Sequence, residues 1–355
     1  MGWVKFAIAA LMVSNFCILF LCAPAAGRAD KPVKIRIGHF PNITHAQALV
    51  MHSRHSLEEA LASEAIVEWK VFNAGPSAVE AIFAGNLDLA YTGPSPAINA
   101  YIKSNGEAVR IVAGAASGGA ALVVRGDLTI RSAEDLKNKK IASPQLGNTQ
   151  DVALRAWLAG SGLKLKEVGG DVQVLPLANA DQQTLFLKKE IDASWAVEPW
   201  VSFLMQKTGA KVFLEEADLW AEGKYSTALV LVRKRFLDEH QELVKKFLTV
   251  HFETTQWILL NPEEAKGLIQ ARIQRLSGKP MPTEVLDPAF ARIQFTTDPL
   301  VSSVLEQALA AHRAGFLKKE PELSQLFALD ILEEVLKERN IEPEWLLPVA
   351  TQEQK

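Results

Sequence analysis

Strand, small-residue loop, helix: this unit recurs along the chain, and no other feature of the sequence narrows the fold as far. Val33 to Phe40 (VKIRIGHF) alternates apolar and polar residues as a strand does. It turns at Pro41-Asn42-Ile43 into a helix expected from Thr44 to about Ala62, and Thr44 with Gln47 fits the capping-box pattern. Val67 to Phe72 is a second strand. Gly75-Pro76-Ser77 opens the next helix, with Pro76 at a tolerated first position and Gly85 just past its end. Leu87 to Tyr91 followed by Thr92-Gly93-Pro94-Ser95-Pro96 repeats the unit, and Val109 to Ala113 is a further strand. Such alternation implies an α/β architecture with parallel strands.

After a run of small residues, Ala115-Ala116-Ser117-Gly118-Gly119, the pattern begins again. Ala120 to Arg125 reads as a strand, and Ser132 with Asp135 carries a capping signal. Ile141 to Leu158 (IASPQLGNTQDVALRAWL) is the clearest copy of the unit. A short apolar strand enters a loop at Ser143 to Gly147, and a helix begins at Asn148 or Thr149. Asn148 with Asp151 forms a capping-box variant. A helix start leaves backbone N–H groups unpaired and carries partial positive charge, so it can hold an anion. Val172 to Leu177, Ile191 to Ala196 and Val212 to Leu214 are further strands; Asn179 with Gln182 caps a helix, and Glu198-Pro199-Trp200 starts another. Ser226 to Val232 (STALVLV) is strongly β. From Phe236 the chain reads as almost all helix, interrupted at Pro262, Pro280, Pro288 and Pro299.

Two α/β sets joined by a crossing near 115–123, with a return near 226–232, make two lobes, a hinge and a cleft. The expected division is 30–122 with 228–355 for the first lobe, including the C-terminal helices, and 123–227 for the second. In open α/β sheets ligands sit beyond the carboxyl ends of the strands. The loops that fall there are 41–45, 73–77, 92–96, 114–118, 143–149 and 195–199, nearly all built from small, hydroxyl or amide residues.

The chain has 355 residues, enough for two lobes of ordinary size, and 48% apolar residues, enough for a core. Residues 1–29 read as a cleaved secretory signal: Lys5, an apolar stretch from Phe6 to Leu21, then small residues ending in Gly27-Arg28-Ala29. Both cysteines, Cys17 and Cys22, lie inside it, so the mature chain has no disulfide, thiolate nucleophile or cysteine–metal site. Phe16 and Leu21 precede the cysteines where a lipoprotein signal needs a small residue. Losing the segment removes Lys5 and Arg28 and no acid from a chain already at −3. A mildly acidic, exported, cysteine-free protein is expected to be a poor nucleic-acid binder.

Taken in order, these pieces resemble the periplasmic substrate-binding components of ABC importers, in the branch that takes nitrate, taurine and aliphatic sulfonates. The resemblance covers about 30–340. It is carried by IRIGHFPN, GPSAVEAIFAGNLDLAYTGPSPAINAY, ALVVRGDLTIRSAEDLKNKKIASP, QLGNTQDVALRAWL, IDASWAVEPW and STALVLVRKRF. It implies a two-lobed, type II-like periplasmic-binding-protein fold with two hinge crossings and a helical C-terminal tail. It also implies a periplasmic location, a monomer, and delivery of a small anion or zwitterion to a permease in the inner membrane, without chemistry or cofactor. By the same analogy, Asn42, Thr44, His45, Thr92, Gly93 and Ser95 would contact the ligand from one lobe. Asn148, Thr149, Trp195 and Glu198 would do so from the other, with Ser117 near the crossing. Sulfonates and taurine rank first, nitrate or bicarbonate next, then a thiamine pyrimidine precursor.

Each candidate has a plainer explanation. Ser95 and Thr149 are ordinary helix caps if they do not meet a ligand. Trp195 and Trp200 are core residues if they do not form a ligand wall. Glu198 is a helix-start acid, unless it faces the cleft, where it would favour a ligand carrying an amine. His39, His45, His52 and His55 crowd into one short stretch and raise a metal-binding sensor as an alternative, although acidic or cysteine partners are not interleaved among them. An enzyme acting on a thiamine pyrimidine on the same scaffold is a second alternative. No G-x-S-x-G, H-E-x-x-H or phosphate-loop motif supports it.

Overall fold

A computed structural model describes residues 32–343 and Trp345. The expected signal segment, residues 1–29, lies outside them. The chain builds two mixed sheets. The first is laid down by β1 (Val33–His39), β2 (Ala65–Val71), β3 (Leu89–Thr92) and β4 (Val109–Gly118). The second is formed by β5 (Ala120–Val124), β6 (Lys140–Ser143), β7 (Gln173–Pro176), β8 (Ala193–Val197) and β9 (Lys211–Glu215). The chain then returns to the first sheet with β10 (Ser226–Arg233) and, far downstream, β11 (Ile293–Phe295). The spatial orders are β11-β4-β10-β3-β1-β2 and β7-β6-β8-β5-β9. In each sheet the early strands pair in parallel. The strands next to the crossings pair antiparallel: β10 with β3 and β4, β5 with β8 and β9. β4 and β10 are buried along nearly their whole length. A strand covered on both faces reads as a continuous apolar run, which is why STALVLV stood out in the sequence.

The crossings fall slightly earlier than expected. Ala120, Ala121 and Leu122, assigned to the first lobe from sequence, pair in the second sheet; Ser226 and Thr227, assigned to the second, lie in β10 of the first. The outward crossing is Gly118-Gly119, both with positive φ (79° and 80°). A Cβ on Gly118 would sit 2.5 Å from the Arg292 carbonyl oxygen, and one on Gly119 would sit 2.6 Å from the Ile293 side chain. Only glycine meets both demands. The return crossing is tied to the outward one: the Ala120 N–H donates to the Tyr225 hydroxyl at 3.1 Å, and the Tyr225 N–H donates to Ser117 Oγ at 3.3 Å.

In the first lobe the connecting helices are α1 (Ala46–Arg54), α2 (Ser56–Leu61), α3 (Gly75–Phe83) and α4 (Pro94–Lys103). The second lobe adds α5 (Thr149–Gly160), α6 (Asn179–Leu187) and α7 (Trp200–Thr208). The first helix is not continuous to Ala62. It breaks at His55, which takes a left-handed conformation (φ 56°). Nor does Thr44 form a capping box with Gln47. Gln47 is buried, and its amide donates to the Ala115 carbonyl at 2.8 Å and to Thr255 Oγ1 at 3.2 Å. A buried amide must find partners, and β4 and the tail offer better ones than the helix end.

The tail comprises α8 (Lys234–Glu239), α9 (Gln241–Leu260), α10 (Pro262–Ser277), α11 (Leu286–Ala291), α12 (Val301–Arg313) and α13 (Asp330–Lys337). α9 and α10 pack on α1, and so buttress the first sheet. The tail also reaches across: α12 touches both α4 and α5, and α11 packs on α7. β11, which adds an edge strand beside β4, has no counterpart in the sequence reading.

Candidate functional site

The carboxyl ends of β1, β2, β3, β6, β7 and β8 surround one small cavity between the lobes, of about 20 Å³, room for little more than a water molecule. This is where open α/β sheets hold ligands. The first lobe contributes Phe40, Asn42, Thr44, His45, Asn73, Ala74, Gly75, Gly93 and Pro96, with Thr227 from β10. The second contributes Pro144, Asn148, Thr149, Gln150, Asn179 and Val197. Among these described residues there is no Lys, Arg, Asp or Glu. Of the six loops expected at the cleft, five reach it. The sixth, 114–118, is consumed by pairing within β4.

The helix starts are built for this position. Asn148 Oδ1 accepts the Asp151 N–H at 2.8 Å and caps α5. The fully buried Asp151 carboxylate then accepts from Ser143 Oγ (2.6 Å), the Gly147 N–H (2.9 Å) and Arg155 Nε (3.1 Å), which fixes the loop against the helix. Opposite, α4 begins at Pro94 after Gly93. The Ser95 N–H donates to Thr149 Oγ1 at 3.4 Å, so the starts of α4 and α5 meet across the lobes.

One polarity recurs at four polar side chains of the lining, whereas Thr227 spends its O–H on the Gly118 carbonyl at 2.7 Å. The Phe40 N–H donates to His45 Nδ1 at 3.2 Å, and a backbone N–H has no other role, so the imidazole proton resides on Nε2. Burial, with a smaller contribution from His39, holds the His45 pKa well below the ordinary histidine range, so the ring is neutral at pH 7. Asn148 Nδ2 donates to Gln150 Oε1 at 3.1 Å, leaving the Gln150 NH₂ group for the cavity. Gln182 Nε2 approaches Asn179 Oδ1 at 3.4 Å, leaving the Asn179 NH₂ group. Thr149 Oγ1 accepts from Ser95, leaving its O–H. Each of these four side chains has an acceptor atom occupied by the protein and a donor left over. The site is therefore uncharged and rich in donors.

Six of the residues nominated from sequence line the cavity: Asn42, Thr44, His45, Gly93, Asn148 and Thr149. Five do not. Thr92 lies behind Gly75, its buried hydroxyl without a partner among the described residues. Ser95 reaches the site through its backbone N–H to Thr149. Ser117 serves the hinge by accepting from Tyr225. Trp195 is a core residue under α5: its indole N–H donates to Glu216 at 2.7 Å, and its ring lies 6.1 Å from that of Trp157. Glu198 turns away from the cavity. Its carboxylate accepts from the Ser202 N–H (3.1 Å) and Oγ (2.8 Å) and meets Arg292 at 3.4 Å. Burial pushes its pKa up to about 7 against the pull of Ser202 and Arg292.

Asn73, Gln150, Asn179 and Thr227 were not nominated. Asn73 lay in a loop already marked, and Asn179 had been read as a helix cap; it caps nothing, because its partner Gln182 donates to the Leu177 carbonyl at 2.9 Å. The N-terminal histidines do not form one donor set. His39 and His45 are buried, the His39 and His52 rings meet edge-on with centroids 6.1 Å apart, His52 stacks on Trp69 at 5.1 Å, and His55 is exposed. Among the described residues no group of three His, Cys, Asp or Glu side chains is placed to hold a metal ion.

With this geometry in place, known proteins give the context. Residues 28–273 match the sequence model of the NMT1-like family. The chain is 29% identical over 222 residues to the taurine-binding periplasmic protein of Escherichia coli (strain K12), covering 61% of this chain and 66% of that one. Its fold matches the periplasmic aliphatic sulphonate binding protein SsuA from Escherichia coli with a TM-score of 0.67 at 22% identity, over 84% of this chain and 92% of the other. It matches the periplasmic nitrate-binding protein NrtA from Synechocystis PCC 6803 with a TM-score of 0.74 at 14% identity, over 87% and 89% of the two chains.

Proposed function

The chain belongs to the NMT1-like family, and from that premise we propose that it is the solute-binding component of an ABC importer. It captures a small oxyanion between its lobes in the periplasm and delivers it to a membrane permease. The observation that carries the reading is the donor-rich, uncharged lining formed where the helix starts of α4 and α5 converge. Helix starts and neutral N–H groups hold anions without an opposing cation. The relatives named above are binding proteins, which supports a binder without chemistry of its own.

Alkanesulfonates come first among ligands. A sulfonate offers three acceptor oxygens and no donor, matching groups whose own acceptor atoms are already taken. Taurine adds an ammonium, and among the described residues no carboxylate lines the cavity to receive it; Glu198, the residue nominated for that role, is committed to Ser202 and Arg292. Nitrate shares the donor-free chemistry and comes next. Micromolar capture needs about 8 kcal/mol, within reach of several charge-assisted hydrogen bonds in a dry cleft.

The test is a thermal-shift screen on protein unfolded and refolded to strip any carried-over ligand. The panel holds ethanesulfonate, taurine, nitrate, bicarbonate, sulfate, a thiamine pyrimidine and zinc. A ligand that binds only the folded state raises the melting temperature. A rise with ethanesulfonate or nitrate is expected. A rise with the pyrimidine or zinc alone, or with nothing, overturns the reading.

A further inference from the structure

Asn42 poses a problem that the other lining residues do not. Its amide can present either a carbonyl or an NH₂ group to the cavity, and only the second suits an anion. The bond that resolves this comes from the opposite lobe. Trp200, the first residue of α7, donates its indole N–H to Asn42 Oδ1 at 2.9 Å, and both residues are buried. An indole N–H can only donate. The amide oxygen therefore faces Trp200, and the NH₂ group is turned away from it. Among the described residues that NH₂ group has no protein acceptor, and Asn42 lines the cavity. A second bond crosses at the same place: the Ile43 N–H donates to the Glu198 carbonyl oxygen at 3.1 Å.

We infer that Trp200 is a positioning residue for ligand selection: from the second lobe it holds the Asn42 amide with its donors toward the bound anion, so that this donor is fixed only when the lobes meet. The inference rests on the reading of the cavity as an anion site. It gives Trp200 a role apart from the packing of its ring against Phe203 (centroids 5.7 Å, edge-on). Packing needs the ring; orientation of Asn42 needs the N–H. When the lobes separate, Asn42 loses the partner that forbids the flipped amide, and the separated first lobe discriminates less between acceptor-rich and donor-bearing solutes.

The experiment is calorimetric titration of ethanesulfonate and nitrate into wild-type protein, Trp200→Phe, Asn42→Ala and the double variant. Phe keeps most of the ring and removes the N–H. Each single variant should weaken binding by about tenfold, as loss of a hydrogen bond to a charged group does. The double variant should bind no more weakly than Asn42→Ala alone, because Trp200 acts through Asn42. A second measurement needs no variant to fold. With nitrogen-labelled tryptophan, the indole N–H of Trp200 should gain protection from hydrogen exchange when the anion saturates the protein. Additive losses in the double variant, wild-type affinity in Trp200→Phe, or an indole equally exposed with and without anion would overturn the assignment while leaving the anion site standing. A wild-type protein that binds neither probe overturns the anion reading and the assignment with it.

Discussion

Thr149 of the second lobe sits so close to Gly93 of the first that a Cβ on Gly93 would lie 2.1 Å from Thr149 Oγ1. Carbon and oxygen cannot approach that closely without bonding. Gly93 has an ordinary extended backbone (φ −86°), so alanine there needs no unusual φ. Within its own lobe the Cβ would sit 3.3 Å from the Thr227 carbonyl oxygen, a tight contact, and the prohibitive one comes from the other lobe. Gly93→Ala should therefore keep the lobes apart, weakening anion binding at least about tenfold, the cost of a modest overpacking. The melting temperature of the ligand-free protein should stay within a few degrees of wild type. Titration calorimetry checks the first expectation and a melting curve the second. Wild-type affinity in this variant would mean that binding does not require the two helix starts to meet.

Glu198 would have read the amine of taurine had it faced the cleft. Because its carboxylate is held by Ser202 and Arg292, Glu198→Gln should change the affinities for taurine and ethanesulfonate by the same factor. Paired titrations decide this. A selective loss of taurine would show that the carboxylate swings into the cavity when the ligand arrives.

The affinity for an anion should be flat with pH. Burial holds the His45 pKa well below the ordinary range, and no other ionisable side chain lines the cavity among the described residues. No group at the site then gains or loses a proton between pH 6 and 9, the range in which dissociation constants should agree within about twofold. Binding that tightens as the pH falls through 6.5, and does so equally in Glu198→Gln, where the neighbouring carboxyl that titrates near 7 is removed, would mean that His45 becomes a cation in the complex.

Stability, unlike affinity, should vary with pH. Glu216 is fully buried against Trp195, and desolvation raises its pKa from 4.5 to about 7 in spite of the Trp195 hydrogen bond. Between those values the folded state keeps a proton that the unfolded state releases. Its contribution is complete below pH 4.5, falls as the pH rises toward 7, and is lost above it. The span corresponds to about 3 kcal/mol at most. Glu216→Gln keeps an acceptor for Trp195 and removes the titration. Urea unfolding at pH 5 and pH 8 should show the variant gaining on wild type at the higher pH. A constant difference would place the proton elsewhere.

The sequence by itself determined the order of elements, the doubling of the α/β set, the Gly118-Gly119 crossing region and most of the loops at the carboxyl strand ends. These are local properties. Period-two and helical spacing, small residues before helix starts and a cap such as Asn148 onto Asp151 operate within a few residues of chain, so one sequence exposes them. The direction of a single side chain is not local. Trp195 and Trp200 lie five positions apart around one strand end, and the sequence reading nominated Trp195, not Trp200, as the ligand contact. Tertiary packing sent the first to Glu216 in the core and the second across the lobes to Asn42. Glu198, between them, went to Ser202 and Arg292, the latter ninety-four residues downstream. The donor polarity of the cavity was equally hidden. Whether Gln150, Asn179 or His45 presents an N–H depends on which partner occupies its other atom, and β11, which brings Ile293 and Arg292 against the crossing, comes from a stretch that reads as helix. Hydrogen-bond satisfaction in a closed interior is a property of the assembled lobes, and it was there that the choice of ligand chemistry was made.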